Sequence, residues 1–173
     1  MRLHETAGRK RAADERLPVP VPTAGRGTGW VVAQFVLMAA IVVAGLVLPN
    51  WPGDAHEVLS VVGAVLAIAG GAFAVWAGRA LGRSLTPFPK PLEAGLVTRG
   101  PFAVVRHPIY LGGLGLFIGY SLFTSIPALA LTIVLAALWA GKVRVEERLL
   151  AEAYREYPAY RERVRWRLIP FVY

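Results

Sequence analysis

Four long apolar runs constrain the fold of this chain more than any other feature. They cover residues 30–48, 58–76, 108–123 and 126–140. An α-helix needs about 20 predominantly apolar residues to cross the hydrocarbon core of a bilayer, and the runs are close to that length. The sequence therefore predicts an all-α integral membrane protein with about four transmembrane helices.

Composition agrees with this class and excludes several kinds of site. Of the 173 residues, 55% are hydrophobic, and they occur in unbroken runs rather than in the short periodic runs of a soluble domain. The chain has no cysteine, which excludes disulfides, thiolate nucleophiles and cysteine-ligated metal sites. The three histidines, His4, His56 and His107, are separated in the predicted topology, so we predict no metal site.

The distribution of charge predicts the orientation. The net charge is +8, and neither short connection, at residues 49–57 or 124–126, contains lysine or arginine. The chain is predicted to lie in the inner membrane of the cell. By the positive-inside rule, both termini and the long connection at residues 77–107 face the cytoplasm. Topology and anionic lipid headgroups account for the positive charge, so we predict no nucleic-acid partner.

The apolar runs also set the domain organisation. Residues 1–28 are polar and contain alternating prolines at 18–22, which predicts a disordered cytoplasmic arm. Residues 29–173 form a single membrane domain. The last run continues without a helix breaker into charged residues, so we expect a cytoplasmic helix that extends the last span to about Tyr157, where Pro158 ends it.

Two adjacent carboxylates, Glu146 and Glu147, follow the last apolar run. At helical spacing, at least one of them lies on the same face as the apolar Leu150. A carboxylate in that position is costly unless it is paired. In a structural interpretation, the glutamates form a salt bridge with Lys142 or Arg106 or are two solvated helix charges. In a functional one, they are the counter-charge for a cationic ligand at the membrane boundary.

The residues Arg106-His107-Pro108 precede the third run. In a purely structural interpretation, His107 lies near the helix N-cap, Pro108 is the first helical residue and Arg106 is an interfacial anchor. The free N–H groups of a helix start also favour a bound carboxylate. A ligand with both an ammonium and a carboxylate group, such as the amino acid moiety of a cofactor, would suit the helix start and the glutamates together.

The segment Gly-Pro-Phe-Ala-Val-Val-Arg-His-Pro-Ile-Tyr-Leu-Gly at 100–112, followed by Glu-Glu-Arg-Leu-Leu at 146–150, resembles the isoprenylcysteine carboxyl methyltransferase and phospholipid methyltransferase family. The tail around Tyr157-Pro-Ala-Tyr160 is also similar. The resemblance covers about residues 78–173, which would be the catalytic part. Phe102 departs from the family pattern, which often has tyrosine there and so offers a hydroxyl that this chain lacks.

The resemblance implies a methyltransferase that uses S-adenosyl-L-methionine and accepts a lipophilic small molecule or a lipid from the bilayer at the cytoplasmic face. It implies that Lys142 contacts the polar head of the substrate. The candidate catalytic residues are Arg106, His107 and Glu147, and either of the last two could accept a proton from an amine. The resemblance implies these cofactor-binding residues: Leu96, Val97, Phe102, His107, Pro108, Ile109, Tyr110 and Glu146.

Two other functions fit the same architecture. One is a membrane oxidoreductase of the sterol-reductase type, whose nicotinamide cofactor would require more phosphate-binding basic residues in the 77–107 connection. The other is a non-enzymatic membrane scaffold of the same fold. Carboxylates with no function are a liability at the membrane boundary, so the glutamate pair argues against the scaffold.

Overall fold

The computed structural model describes residues 27–48, 51–53, 55–88 and 95–172. Residues 1–26 of the predicted disordered arm lie outside the described residues. Five α-helices and two short 3-10 helices make up the regular structure of the described part, which has no strand. The prediction of an all-α protein is confirmed.

The helices follow the apolar runs closely. The α-helices are α1 (Thr28–Val47), α2 (Ala55–Leu81), α3 (Pro108–Thr124), α4 (Ile126–Ala153) and α5 (Tyr157–Arg163), and the 3-10 helices are Gly82–Ser84 and Gly100–Ala103. Within the described residues, α1, α2 and α4 are long and apolar enough to cross a membrane, and α3 is a shorter apolar helix. Apolar side chains such as Leu46 and Ile68 face outward, as lipid-facing residues do.

The end of α4 differs from the prediction. The helix ends at Ala153 rather than near Tyr157, and Tyr154 has an extended backbone (φ −119°, ψ 114°). Tyr154 packs against a buried cluster that includes Tyr160, so tertiary packing turns the chain before Pro158 is reached. Pro158 instead lies in the first turn of α5, where its missing N–H breaks no helical hydrogen bond.

A one-residue connection places the start of α3 beside the charged end of α4. Ser125 separates α3 from α4, and its side chain accepts a hydrogen bond from the Ala128 N–H at 3.4 Å, as an N-cap does. Helices α3 and α4 pack against each other, α1 packs mainly on α4, and α2 packs mainly on α3. Lys142 lies as far beyond Ser125 as Pro108 lies before it, so the start of α3 and the charged end of α4 are level.

Glycines allow α2 and α3 to approach closely. A Cβ added to Gly63 would lie 2.6 Å from the Gly119 carbonyl oxygen, and one added to Gly112 would lie 2.5 Å from the Ala74 nitrogen. These neighbours are backbone atoms and cannot move independently of their helices. Small residues allow this kind of approach between membrane helices.

The neighbouring residues Gly70 and Gly71 test this packing. A Cβ on Gly70 would collide with the backbone nitrogen of Leu116, whereas a Cβ on Gly71 would meet the Leu116 side chain at 3.6 Å, an ordinary contact. We expect Gly70→Ala to destabilise the protein by about 1–3 kcal/mol, as overpacking does. The matched control Gly71→Ala should be neutral or slightly stabilising, since alanine favours a helix by up to about 1 kcal/mol over glycine. Thermal unfolding in detergent measures both, and equal losses would contradict the account.

Candidate functional site

The C-terminal tail fixes the start of α3 through the backbone. The N–H of Arg106 donates to the Trp166 carbonyl, and the N–H of His107 donates to the Arg167 carbonyl, each at 2.9 Å. His107 is the N-cap residue and Pro108 the first residue of α3, as the sequence predicts. The tail therefore lies beside the residues that lead into this apolar helix.

A buried ion-pair network joins the tail to α4. The two oxygens of Glu147 accept separate hydrogen bonds, from Arg106 Nε at 2.7 Å and from Arg167 Nε at 2.8 Å. Arg106 Nη1 also donates to the carbonyls of Val164 and Arg165, at 2.7 and 2.8 Å. The side chains of Arg106 and Glu147 are each only 5% exposed. The network therefore binds three segments of the chain to one another.

Glu146 faces a different set of groups. Tyr110 donates its hydroxyl proton to Glu146 Oε1 at 2.6 Å. His107 Nδ1 lies 3.7 Å from Glu146 Oε2, and Lys142 Nζ lies 3.9 Å from Oε1. His107 also lies between the two glutamates, with its Nε2 3.5 Å from Glu147 Oε1. Glu147 is thus part of the ion-pair network, and Glu146 lies at a wall formed by α3 and α4.

Lys142 connects three parts of the molecule, although it is fully buried. Its ammonium group donates to Gln34 Oε1 on α1 and to the Pro87 carbonyl in the segment after α2, each at 2.7 Å. It also lies over the Tyr110 ring, 5.5 Å from the ring centroid. The sequence alone does not point to Gln34 or Pro87, because no local pattern pairs them with a residue so distant in sequence.

These contacts predict that Lys142 holds the segment containing Pro87 in place. Lys142→Met would remove both hydrogen bonds, and hydrogen bonds to charged groups contribute about 1.5–3 kcal/mol each. We expect chymotrypsin to cleave after Leu85 at least about tenfold faster in this variant. The exposed Arg148 on the same helix gives the control, Arg148→Gln, whose cleavage rate should match that of the parent. An unchanged rate in Lys142→Met would contradict the role.

These elements enclose a cavity of about 550 Å³. Its polar end is formed by Glu146, Lys142, His107 and Arg106, and most of the remaining wall is apolar. Gln34, Phe35 and Met38 line it from α1. The volume lies within the range of about 300–1,000 Å³ that is usual for small-molecule sites.

Most of the candidate site residues predicted from the sequence line this cavity. Pro108 and Glu147 do not line it; Pro108 is buried at the start of α3, and Glu147 is in the ion-pair network. Nine of the sequence-derived candidates do line it: Leu96, Val97, Phe102, Arg106, His107, Ile109, Tyr110, Lys142 and Glu146.

Tyrosines from α5 close the cavity on the tail side. Tyr157 and Tyr160 are buried together with Val164 and pack against Leu96. The Tyr160 hydroxyl donates to the Phe102 carbonyl at 2.8 Å. Burial raises the pKa of Tyr160 to about 12, so this hydroxyl stays protonated and remains a donor at neutral pH.

Metal ligands are not gathered at the site. Within the described residues, no group of three or more histidine, cysteine, aspartate or glutamate side chains is placed to hold a metal ion. The side chains that line the cavity include one carboxylate, one histidine, two basic groups and four tyrosines.

Comparisons with known proteins relate this arrangement to a family. The model of the phospholipid methyltransferase family matches residues 58–157, which is more than half of the chain. The cobalt-zinc-cadmium resistance protein CzcN of Cupriavidus metallidurans is 39% identical to the chain over 72 residues. That match covers 39% of this chain and 32% of the relative, so the chain spans about a third of the length of this curated relative.

Proposed function

We propose, because the chain belongs to the phospholipid methyltransferase family, that it transfers a methyl group from S-adenosyl-L-methionine to a lipophilic acceptor from the bilayer. Family membership makes it a membrane protein of a methyltransferase family. The donor, the type of acceptor and the residue roles below are our proposal.

The observation that carries the proposal is the environment of Glu146. Its carboxylate lies on the wall of a largely apolar cavity and accepts a hydrogen bond from Tyr110 at 2.6 Å. A carboxylate at the membrane boundary is an unfavourable feature unless it has a cationic partner. Lys142 Nζ is 3.9 Å away and already donates two hydrogen bonds elsewhere. The ammonium group of a bound ligand would be a suitable partner.

The described residues fit the proposed methyl donor at both of its ends. Glu146 would hold the ammonium group. The first amides of α3, at Ile109 and Tyr110, have no acceptor within the helix and would favour the carboxylate. Leu96 and Val97 line the cavity and would contact the uncharged part of the molecule. Phe102 lines the cavity through an apolar ring, and Pro108 would fix the start of α3 from behind that wall.

S-adenosyl-L-methionine, when bound, would supply a methyl group activated by the positive charge on its sulfur. The protein would hold the two reactants in line and exclude water, which are large contributions to such a displacement. His107 lines the cavity and would accept a proton if the acceptor is an amine. We assign Arg106 and Glu147 to positioning, because their mutual ion pair and the tail carbonyls already occupy them.

Lys142 would contact the polar head of the acceptor from the same wall. Its present partners, Gln34 and Pro87, lie on α1 and after α2, so an acceptor that enters between these elements would reach the ammonium group. All four apolar helices would span the inner membrane, with the arm, the charged end of α4 and the site in the cytoplasm. The placement of lysine and arginine supports this orientation.

Methyl transfer to lipid tests the proposal. The full-length protein, reconstituted in vesicles made from extracted bacterial lipids, is supplied with S-adenosyl-L-methionine that carries a labelled methyl group. We expect label in the organic extract, and none when the vesicles lack protein. Absence of label, together with oxidation of added NADPH, would replace this proposal with the sterol-reductase alternative.

A further inference from the structure

A second cavity lies in the C-terminal tail and shares only Arg106 with the first. Its volume is about 410 Å³. Four of its six lining residues are arginines, and the lining contains no carboxylate. The lining residues are Arg106, Arg161, Arg165, Trp166, Arg167 and Val172.

The four arginines of this cavity carry more positive charge than one carboxylate can balance. Glu147 pairs with two of them, since its two oxygens accept hydrogen bonds from Arg106 and Arg167. Arg161 and Arg165 are exposed at the cavity. Guanidinium groups match the geometry of phosphate oxygens and bind them through paired hydrogen bonds. The cavity is therefore suited to a phosphate group.

The surroundings of the cavity point to a membrane as the source of that phosphate. Phe171 and Val172 are 85% and 75% exposed, and the Phe171 ring packs beside Trp166 with centroids 5.2 Å apart. Exposed apolar side chains next to basic ones are typical of a surface that enters the headgroup region of a bilayer.

The backbone holds the same tail beside the first turn of α3. The carbonyls of Trp166 and Arg167 accept hydrogen bonds from the residues that lead into α3, and α3 is apolar from its first turn. Basic and aromatic residues concentrate at this level of a membrane protein.

We propose that the arginine cavity binds the phosphate group of an anionic phospholipid, with Phe171 and Val172 inserted beside it. The lipid is distinct from the methyl acceptor, because its site lies outside the first cavity apart from Arg106. Arg106 also donates to the carbonyls of Val164 and Arg165. A bound lipid therefore stabilises the contact between the tail and the start of α3.

Lipid binding to the full-length protein tests this site. The protein is delipidated in a neutral maltoside detergent, and native mass spectrometry measures adducts with dioleoyl phosphatidylglycerol and with dioleoyl phosphatidylcholine. We expect tighter binding of phosphatidylglycerol. Arg161→Gln with Arg165→Gln should weaken it roughly thirtyfold, since each basic residue near an anionic surface contributes about a fivefold factor.

The control removes the same charge elsewhere. Arg79 and Arg99 are exposed and line neither cavity, so Arg79→Gln with Arg99→Gln should bind phosphatidylglycerol as the parent does. Thermal unfolding in lipid-free detergent verifies that both double variants remain folded. Equal binding of the two lipids, or equal weakening by the two double variants, would overturn the site. Full displacement of phosphatidylglycerol by inorganic phosphate would overturn the lipid as its ligand.

Discussion

Replacing Glu146 with glutamine should lower the affinity for S-adenosyl-L-methionine about 100-fold, because loss of one partner from a buried charge pair costs about 2–5 kcal/mol. Glutamine has nearly the same shape and still offers Tyr110 an oxygen acceptor, so the variant removes the negative charge and little else. Isothermal calorimetry on the protein in detergent measures the dissociation constant. The charge of Glu146 is the part of the proposal with the largest expected effect on binding.

Two further variants separate charge from hydrogen bonding and from general surface effects. Tyr110→Phe removes the 2.6 Å hydrogen bond to Glu146 and should weaken binding about fivefold, as loss of a single hydrogen bond does. Glu152 is exposed on the same helix, so Glu152→Gln should leave binding unchanged. If Glu146→Gln bound the donor as tightly as Glu152→Gln does, the counter-charge role would be wrong.

Glu147→Ala should destabilise the protein by about 3–5 kcal/mol, which is the usual cost of leaving a buried charge without its partner. The charge left behind is that of Arg106, whose side chain is 5% exposed. Because Arg167 of the tail binds Glu147 of α4, the tail should also loosen from α4. Thermal unfolding measures the first effect, and faster tryptic cleavage after Arg165 or Arg167 measures the second.

Substitutions of the two adjacent glutamates should therefore have different effects. Glu146→Gln should unfold close to the temperature of the parent but lose donor binding, while Glu147→Ala should lose stability first. The double variant Arg106→Met with Glu147→Leu should recover part of that stability, since an apolar pair of similar volume often replaces a buried ion pair without cost. Stability of Glu147→Ala equal to that of the parent would show that the network is not needed for folding.

The helical architecture follows from the sequence because long apolar runs leave few alternatives in a membrane. The start of α3 at Pro108 is also set locally, since proline suits the first helical position and His107 precedes it. The prediction that an apolar helix begins at Pro108 is confirmed. The end of α4 is not set locally: no breaker precedes Pro158, and packing of Tyr154 against the tyrosine cluster ends the helix earlier.

The side-chain contacts that form the candidate site cannot be predicted from any local sequence pattern. Sequence reasoning left Glu146 and Glu147 open between salt bridge and ligand counter-charge. The structure shows both salt bridges, Glu147 with Arg106 at 2.7 Å and Glu146 with Lys142 at 3.9 Å. Of the two glutamates, Glu146 is the one that lines the cavity. The contact between Lys142 and Gln34 joins the fourth apolar run to the first. Such a contact depends on how the helices pack, and a single sequence carries no direct signal for it.

Direct photolabelling tests the central claim, that the methyl donor lies between the start of α3 and the charged end of α4. The parent protein in nanodiscs is irradiated with radiolabelled S-adenosyl-L-methionine, and the labelled peptides are identified by mass spectrometry. We expect label in peptides that contain residues 96–110 or 142–150, and loss of that label when unlabelled donor is in excess. Absence of specific labelling, or label confined to residues 161–172 of the tail, would contradict it.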